Sequence, residues 1–298
     1  MGSGAGGGPV AANLAIAGYK VLLIDAGGDS GEDLVERVPA LNLASSEFEK
    51  TRWNYFVNHY SDLDQQKRDS KMTYEKSDGS LYIGGEPPKD AKALGILYPR
   101  SGTLGGCTRH NALISILPHD SDWTNIATLT GDSSWNPKNM QSYFKKLERN
   151  RYLPSSIIGH GFNGWLGTSL TSLHLVVEDL KFLSLVISAA TAMGKSVLGL
   201  VLNTVTGLGN ILTADINAPG QTSRPGLYQV PLAMSDSVRS SPRELILDTA
   251  NAVNKDGSRK YHLDIKLNTL VSVVILISYY LVVNTVAGFQ NSIRQEWL

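Results

Sequence analysis

The stretch that decides the fold lies at residues 2–9, which read Gly2-Ser3-Gly4-Ala5-Gly6-Gly7-Gly8-Pro9. It contains the pattern G-x-G-x-x-G, whose glycines allow a tight turn and a close approach of the backbone to a pyrophosphate. In dinucleotide-binding proteins this pattern follows a β-strand and begins a helix. Only Met1 precedes it here, so we expect an α/β nucleotide-binding unit whose first strand is missing.

The residues that follow fit the rest of such a unit. Pro9 suits the first turn of a helix, and Gly18 is placed to end that helix in the left-handed conformation. Residues 19–24 are rich in strand formers, as in a buried parallel strand. Asp25 ends the run 18 residues after Gly7, where an acid accepts hydrogen bonds from the adenosine ribose hydroxyls. This order favours a dinucleotide site over the alternative, a glycine-rich surface loop before an ordinary helix.

The composition is that of an ordinary globular protein. Of 298 residues, 42% are hydrophobic and 18% are charged. Because 27 basic residues balance 27 acidic ones, no basic face is implied and we expect no nucleic-acid partner. Cys107 is the single cysteine, which excludes an intrachain disulfide. The sequence contains no N-glycosylation sequon, which leans weakly towards an intracellular protein without assigning a compartment.

A second glycine-bearing stretch follows about a hundred residues later, within residues 98–114. Its centre reads Leu104-Gly105-Gly106-Cys107-Thr108, with Asn111 three residues further on. Two adjacent glycines allow the backbone to pack closely against a flat ligand. This stretch resembles the first signature of the glucose–methanol–choline (GMC) family of flavin oxidoreductases, roughly Arg-Gly-x-x-Leu-Gly-Gly-(Ser/Cys)-(Ser/Thr)-x-x-Asn. We call residues 2–8 the first glycine loop and residues 102–111 the second glycine loop.

The resemblance extends over residues 1 to about 271. Further segments similar to the family are Trp53-Asn54-Tyr55, Asp122-Trp123, Ser134-Trp135-Asn136, His160-Gly161-Phe162-Asn163-Gly164 and Arg239-Ser240-Ser241-Pro242-Arg243. It implies a Rossmann-like α/β FAD-binding fold of GMC type, truncated, with part of the substrate domain. The implied regions are an FAD-binding region without its first strand (1–150), the start of a substrate-side helical excursion (151–230), a return to the FAD-binding region (231–271) and an atypical apolar tail (272–298).

The family resemblance also implies a reaction. It is the oxidation of a C–OH group of a small-molecule alcohol, with hydride passing to FAD and the hydroxyl proton passing to a histidine. The residues implied to contact FAD are Gly2, Ser3, Gly4, Ala5, Gly7, Asp25, Ala26, Arg100, Thr103, Leu104, Gly105, Gly106, His110, Asn111, Ala112 and Val271. No catalytic residue is assigned, since the family's histidine lies in a C-terminal half that we expect to be missing. We therefore expect this chain alone to bind flavin without turnover.

His110 leaves two interpretations open. In some family members a histidine at this place is bonded to the flavin ring, so His110 is a candidate tether for FAD. The alternative is a histidine packed near the ring without a covalent bond. The other histidines, His59, His119, His160, His174 and His262, lack metal-ligand spacing, and we expect no metal site. Cys107 fits a small buried residue better than a catalytic thiol.

The end of the chain departs from the family pattern. No charged residue occurs between Leu267 and Asn291, and about 20 apolar residues suffice for a membrane span. Asn284, Thr285 and Gly288 interrupt the run, so we favour an aberrant tail over a membrane helix. Two alternatives to the oxidoreductase remain, a non-catalytic flavin-binding remnant and an NAD(P)-binding Rossmann protein with a membrane tail.

Several elements outside the motifs are also predicted. Residues 61–92 are polar and predict a long loop or excursion. Apolar spacing predicts a helix within residues 135–150 and buried helices within 175–213. A further helix is expected over 239–253, and a half-buried strand over 261–271.

Overall fold

The computed structural model describes residues 2–155, 157–193, 208–209, 212, 215–277 and 280–287. The chain divides into two compact units, one built from residues 1–111 with 242–298 and the other from residues 112–241. The four regions predicted from the sequence were drawn by function and stay predictions. The units divide the chain at other residues.

Both units contain helices and strands. The helices are Gly7–Ile16 (α1), Leu34–Arg37 (α2), Asn42–Ser46 (α3), Leu63–Lys67 (α4), Asp120–Thr130 (α5), Pro137–Leu147 (α6), His174–Glu178 (α7), Leu180–Ala192 (α8) and Pro242–Ala250 (α9). The strands are Val21–Ile24 (β1), Arg52–Val57 (β2), Met72–Glu75 (β3), Leu81–Ile83 (β4), Lys92–Ser101 (β5), Glu148–Asn150 (β6), Leu166–Thr168 (β7), Met234–Ser235 (β8), Val238–Arg239 (β9), Leu263–Lys266 (β10), Thr269–Ile277 (β11) and Tyr280–Ala287 (β12).

The first unit begins with the predicted helix and strand, but the strand is not buried as predicted, because the Leu22 side chain of β1 is 54% exposed. Gly18 follows α1 with φ of +96°, the left-handed conformation expected of a residue that ends a helix. Strand β1 then pairs in parallel with β10, from Val21 opposite Leu263 to Ile24 opposite Lys266. A parallel pair requires a long crossover, and here the chain between the two strands supplies it. The α/β class and the Rossmann-like character of this unit are confirmed.

Helix α1 packs closely on helix α9 within this unit. A Cβ atom at Gly8 would lie 2.9 Å from Ile246 Cδ1 and 3.0 Å from Pro242 Cβ, so only glycine admits this approach. Ala11 and Ala15 are fully buried in the same cluster. Because the side chains on this face of α1 are small, the helix packs close to α9 and to the core.

The predicted loop over residues 61–92 is wrong. This segment holds α4, β3 and β4, and it completes a sheet of strand order β2-β5-β3-β4. Met72, Thr73 and Tyr74 are consecutive buried residues of β3, so the strand lacks the alternation that reveals a half-buried strand in a sequence. Strand β3 pairs with β4 across a short turn and with β5 soon after it, and the polar composition of the segment hides both pairings.

The sequence predicts one strand over residues 261–271, but the structure has two strands there, β10 and β11. Asn268, with φ of +51°, separates β10 from β11 and turns the chain out of the parallel pair. Strand β11 then pairs antiparallel with β12, so the apolar stretch predicted as an atypical tail forms a hairpin as far as Ala287. Within the described part of the chain, no helix is both long and apolar enough to cross a membrane. Residues 288–298 of the predicted tail lie outside the described residues.

The second unit contains the helices predicted in its part of the chain. Helix α6 lies within the predicted 135–150, and α7 and α8 occupy the first half of 175–213. One face of these two helices is buried, through Val176 and Leu183. The expectation of wholly buried helices is wrong, since the Leu180 side chain on α8 is 75% exposed. The rest of that predicted stretch falls mostly outside the described residues.

A histidine between two carboxylates joins the strands of the second unit to its loops. The His160 Nδ1 atom lies 3.0 Å from Glu148 Oε2, and its Nε2 atom lies 2.7 Å from Asp215 Oδ2. The Asn150 amide nitrogen also lies 3.0 Å from Nδ1. This neutral group disfavours the protonated ring less than the two carboxylates favour it. The Tyr152 hydroxyl donates to Asp215 at 3.3 Å.

These contacts set the charge of the cluster. Burial opposes charging of the imidazole, but the hydrogen bonds to Asp215 and Glu148 outweigh it and raise the pKa of His160 to about 9. Burial acts against both carboxylates as well, yet the hydrogen bond with His160 holds the pKa of each below its usual range. Burial also raises the pKa of Tyr152, so its hydroxyl stays protonated.

We expect the thermal stability of the second unit to depend on pH through this cluster. The raised pKa of His160 stabilises the fold fully below pH 6.5, and that contribution is lost as the pH rises through about 9. The carboxylate contribution is present above the ordinary pKa values of 4.5 and 3.8 and is lost as the pH falls through the lowered values. Melting temperatures by tryptophan fluorescence should therefore fall by a few degrees towards either extreme.

The substitution His160→Gln should remove the alkaline part of this profile, because glutamine does not titrate. His174→Gln is the matched control, since His174 is an exposed residue of the same unit. An alkaline fall of the same size in the wild type and in His160→Gln would contradict the prediction.

Candidate functional site

The first glycine loop leads directly into helix α1. Gly6 occupies the position that caps the helix, no side chain bonds there, and the first turn holds no acidic residue. The backbone N–H groups at a helix start carry partial positive charge and attract anions. A Cβ atom at Gly6 would meet no protein atom within 4 Å, so packing within the protein does not require glycine at this position. An open backbone of this kind suits the close approach of a diphosphate.

The second glycine loop lies against the first. A Cβ atom at Gly106 would be 3.0 Å from Gly4 Cα, and one at Gly4 would be 3.9 Å from the carbonyl oxygen of Gly105. Gly105 and Gly106 have φ of +98° and +58°, a conformation that other residues rarely adopt. The two stretches that the sequence singled out, a hundred residues apart, therefore meet backbone to backbone.

A serine hydroxyl links the two loops to Asp25, the residue predicted to bind the ribose. Ser3 is fully buried, and its hydroxyl donates to Asp25 Oδ2 at 2.5 Å. The same hydroxyl accepts the Gly105 N–H at 2.9 Å. The Ser3 backbone N–H donates to the same Asp25 oxygen at 2.7 Å, and the Gly27 N–H donates to Asp25 Oδ1 at 2.9 Å. The predicted residues Ser3, Asp25 and Gly105 thus form one hydrogen-bonded group.

The second glycine loop is also bonded to the segment after β1. The Leu104 N–H donates to the Gly28 carbonyl at 2.8 Å, and Gly28 forms an isolated parallel bridge with Thr103. A Cβ atom at Gly27 would lie only 2.0 Å from the Gly102 carbonyl carbon, so no larger residue fits between these segments. The backbone contact therefore fixes the distance between the end of β1 and the second loop.

Buried charges hold the same region from the other side. The side chains of Arg109 and Glu36 are each 1% exposed, with 3.4 Å between Nε and Oε2. Arg109 also donates to Glu244 Oε1 at 3.1 Å and to the Gly31 carbonyl at 2.8 Å. Glu36 in turn accepts a hydrogen bond from the Ser30 hydroxyl at 2.8 Å. The guanidinium therefore connects the second loop to the loop after β1 and to helix α9.

Arg243 makes a second connection from α9. Its Nε donates to Asp29 Oδ1 at 2.6 Å and its Nη2 donates to Asp29 Oδ2 at 2.9 Å, a bidentate pair. Burial opposes ionisation of Asp29, but the hydrogen bond from Arg243 outweighs it and holds the pKa of Asp29 below its usual range. A Cβ atom at Gly31 would lie 2.1 Å from Arg243 Nε, so glycine makes room for the guanidinium.

The remaining predicted cofactor residues occupy different surroundings. Thr103 is fully buried, and its hydroxyl lies 2.7 Å from the Ser30 hydroxyl, so its side chain serves the protein interior. Arg100 is exposed on β5, with its guanidinium 5.6 Å from the Tyr98 ring centroid. His110 is half-buried at the end of the short turn Gly106–Arg109, and its carbonyl lies 3.5 Å from the Ser45 hydroxyl.

Three more predicted residues are backbone neighbours of these segments. The Asn111 N–H donates to the Cys107 carbonyl at 3.0 Å, which closes the second loop. The Thr269 N–H donates to the Asp25 carbonyl at 2.9 Å, so Val271 lies on the strand that starts beside Asp25. Ala112 is the first residue of the second unit. The cofactor roles of all these residues stay predictions.

Sequence reasoning missed the buried charges. Arg109 stands at a variable position of the second motif, and Arg243 lies in a segment noted only for its resemblance. Glu36 was not singled out at all. A charged residue in a sequence reads as exposed by default, and no local signal marks the exceptions. Among the residues that the structure describes, no group of histidine, cysteine or acidic residues is placed to hold a metal ion.

Comparison with known proteins places this geometry in context. No family model matches the chain. Over 172 residues it is 27% identical to dehydrogenase eriK of Hericium erinaceus, and over 180 residues it is 26% identical to pyranose dehydrogenase 3 of Leucoagaricus meleagris. These matches cover 57% and 56% of this chain but 23% and 25% of the relatives. The chain thus matches about a quarter of the length of these relatives.

Solved structures share the fold over nearly the whole chain. Pyridoxine 4-oxidase from Mesorbium loti superposes with a TM-score of 0.63 at 19% identity, covering 97% of this chain and 45% of that one. A variant of formate oxidase from Aspergillus oryzae RIB40 gives a TM-score of 0.64 at 19% identity, with 97% and 42% covered. An FAD-dependent oxidoreductase from Chaetomium thermophilum gives 0.62 at 17% identity, with 96% and 41% covered.

Three observations now agree. The two glycine loops match the family signature in order, the structure brings them into contact, and both the curated relatives and the fold neighbours are GMC-type oxidoreductases. The fold is accordingly the α/β FAD-binding fold of these enzymes, of which the chain spans less than half the length. In its motifs and its fold, the chain is similar to the glucose–methanol–choline family of oxidoreductases.

Proposed function

We propose that the chain binds FAD through the two glycine loops of its first unit. The whole protein would oxidise a CH–OH group of a small-molecule donor. The observation that carries the proposal is the backbone contact between Gly4 and Gly106, which joins two motifs of one cofactor site. FAD, when bound, supplies the acceptor for the hydride, and the protein supplies binding, orientation and electrostatics.

The residues present fit this cofactor. The uncapped start of α1 offers backbone N–H groups to a diphosphate, and the open position at Gly6 leaves the backbone accessible. Asp25 offers carboxylate oxygens to ribose hydroxyls at the end of β1. The buried pairs around Arg109 keep the second loop in place, so these groups are arranged before the ligand arrives.

The relatives support the reaction class. The two sequence relatives are dehydrogenases, one of them a pyranose dehydrogenase, and the similar solved structures are two oxidases and an FAD-dependent oxidoreductase. A sugar or another alcohol is therefore the donor class that we propose. We assign no catalytic base within this chain, and His110 stays a candidate either for a bond to the flavin or for a packed neighbour of it.

We expect the expressed chain to retain FAD. After incubation with FAD and removal of free cofactor by gel filtration, the protein should be yellow and show flavin absorbance. A panel of small alcohols and sugars should give no turnover, because the chain spans less than half the length of these solved structures and no catalytic base is assigned within it. A protein that stays colourless and binds NAD instead would support the Rossmann alternative and contradict the proposal. Turnover by this chain would contradict the expectation that it binds flavin without catalysis.

The contact between the loops is tested by Gly106→Ala. The new methyl group would press on Gly4 Cα, so the loops should separate and FAD affinity should fall by about tenfold, the effect of about 1.4 kcal/mol, within the range measured for overpacked sites. The measurement is a titration followed by quenching of flavin fluorescence.

Gly79→Ala is the matched control for this substitution. Gly79 has φ of +78°, so alanine there carries similar backbone strain, but its Cβ atom would meet nothing within 4 Å. Both variants should lose about 1 kcal/mol of unfolding free energy from the left-handed conformation. Only Gly106→Ala should lose FAD affinity, and equal affinities in the two variants would speak against a shared cofactor site.

A further inference from the structure

The Ser3 hydroxyl connects Asp25 to the second glycine loop. It donates to Asp25 Oδ2 at 2.5 Å and accepts the Gly105 N–H at 2.9 Å. The serine is fully buried, so water cannot replace either bond. Neither bond could form with glycine or alanine at this position, and the G-x-G-x-x-G pattern does not require a hydroxyl there.

The hydroxyl is fully committed by these two contacts. Serine has a single O–H donor, and the 2.5 Å distance assigns that donor to the Asp25 carboxylate. The Thr103 carbonyl lies 3.5 Å away, at the limit of a hydrogen bond, and would compete for the same proton. The lone pairs of the hydroxyl then face the Gly105 N–H. Rotating the hydroxyl would break the stronger, charge-assisted bond.

The same contacts orient the Asp25 carboxylate. Its Oδ2 atom receives two hydrogen bonds from Ser3, one from the backbone and one from the hydroxyl. Its Oδ1 atom receives one, from the Gly27 N–H. A carboxylate oxygen offers two lone pairs, so Oδ2 is saturated and Oδ1 keeps one further acceptor position. Ser3 thus determines which oxygen of Asp25 is available to a ligand.

We propose that Ser3 is a positioning residue for FAD, which holds the Asp25 carboxylate in place for the ribose hydroxyls and ties it to the second glycine loop. The inference rests on the proposed function, because it needs FAD to bind at these loops. It adds a role for the side chain at a position whose motif specifies only its glycine neighbours.

The experiment compares FAD affinity across variants of the full chain. Ser3→Ala removes the hydroxyl, and FAD should bind about tenfold more weakly, since hydrogen bonds to a charged group are among the strong ones. Thr249→Val is the matched control: Thr249 is also buried in the same unit, but its hydroxyl donates to the Leu245 carbonyl within its own helix. Its FAD affinity should equal that of the wild type.

A double-mutant cycle with Asp25→Asn separates positioning from general destabilisation. If Ser3 acts through Asp25, the double variant should bind FAD no more weakly than Asp25→Asn alone, so the two effects will not multiply. Urea unfolding of each apo-protein shows whether it is folded, and affinities are compared among folded variants. Should Ser3→Ala fail to fold, Ser3→Cys keeps a side chain of the same shape but slightly larger, with a weaker donor, and should give an intermediate loss.

The outcomes distinguish the two levels of the proposal. Failure of the wild type to bind FAD overturns the proposed function and this inference with it. Wild-type binding with an unchanged affinity in Ser3→Ala, or in Ser3→Cys where the alanine variant is unfolded, overturns the inference alone. The inference is also overturned if the double variant loses FAD affinity by the product of the two single losses.

Discussion

The first unit depends on the direct approach of two backbones, at Gly4 and Gly106. The separation is so small that a Cβ atom on Gly106 would come within 3.0 Å of the other chain segment. The approach at Gly27 and Gly102 is closer still. At such distances the buried N–H and carbonyl groups must pair across the contact or lose their hydrogen bonds. The bond from the Leu104 N–H to the Gly28 carbonyl meets this requirement.

Buried charges then stabilise what the glycines permit. Arg109 and Glu36 pair out of contact with water, and Arg243 holds Asp29 through both carboxylate oxygens. Breaking a buried pair by removing one partner costs about 3–5 kcal/mol, since the other charge is left uncompensated. Any conformation in which the second loop moves away would separate these pairs and carry this cost. The charges thus specify the position of the loop more than they add to overall stability.

The second unit uses a buried charge differently. Its described apolar cluster is small, built around Val176, Leu183 and Leu208. The imidazole of His160, between Glu148 and Asp215, connects strand β6 to a loop more than fifty residues further on. In the first unit the charges are guanidinium groups that stay ionised at any ordinary pH. In the second unit the cation is a histidine, so the connection responds to pH.

Much of the first unit was predictable from sequence because its signals are local. The glycine pattern, the strand before Asp25 and the helix end at Gly18 each follow from neighbouring residues, and the family motif followed from the residues around Gly105. The loop expected over 61–92 was wrong because consecutive residues of β3 are buried and the segment is polar, so no alternation in the sequence reveals its pairing with β4 and β5. The single strand expected over 261–271 was wrong because a left-handed residue at Asn268 divides it.

The amino-acid sequence by itself determined the class of fold, the resemblance to the glucose–methanol–choline family and the two loops of the candidate site. Only the tertiary structure decided that the Ser3 hydroxyl joins these loops, that Arg109 is buried against Glu36, and that Thr103 faces the interior. The physical reason is that backbone conformation and motif spacing depend on neighbours in the chain. The partner of a buried polar group is chosen by which distant segments share its water-excluded space, and that is set when the chain folds.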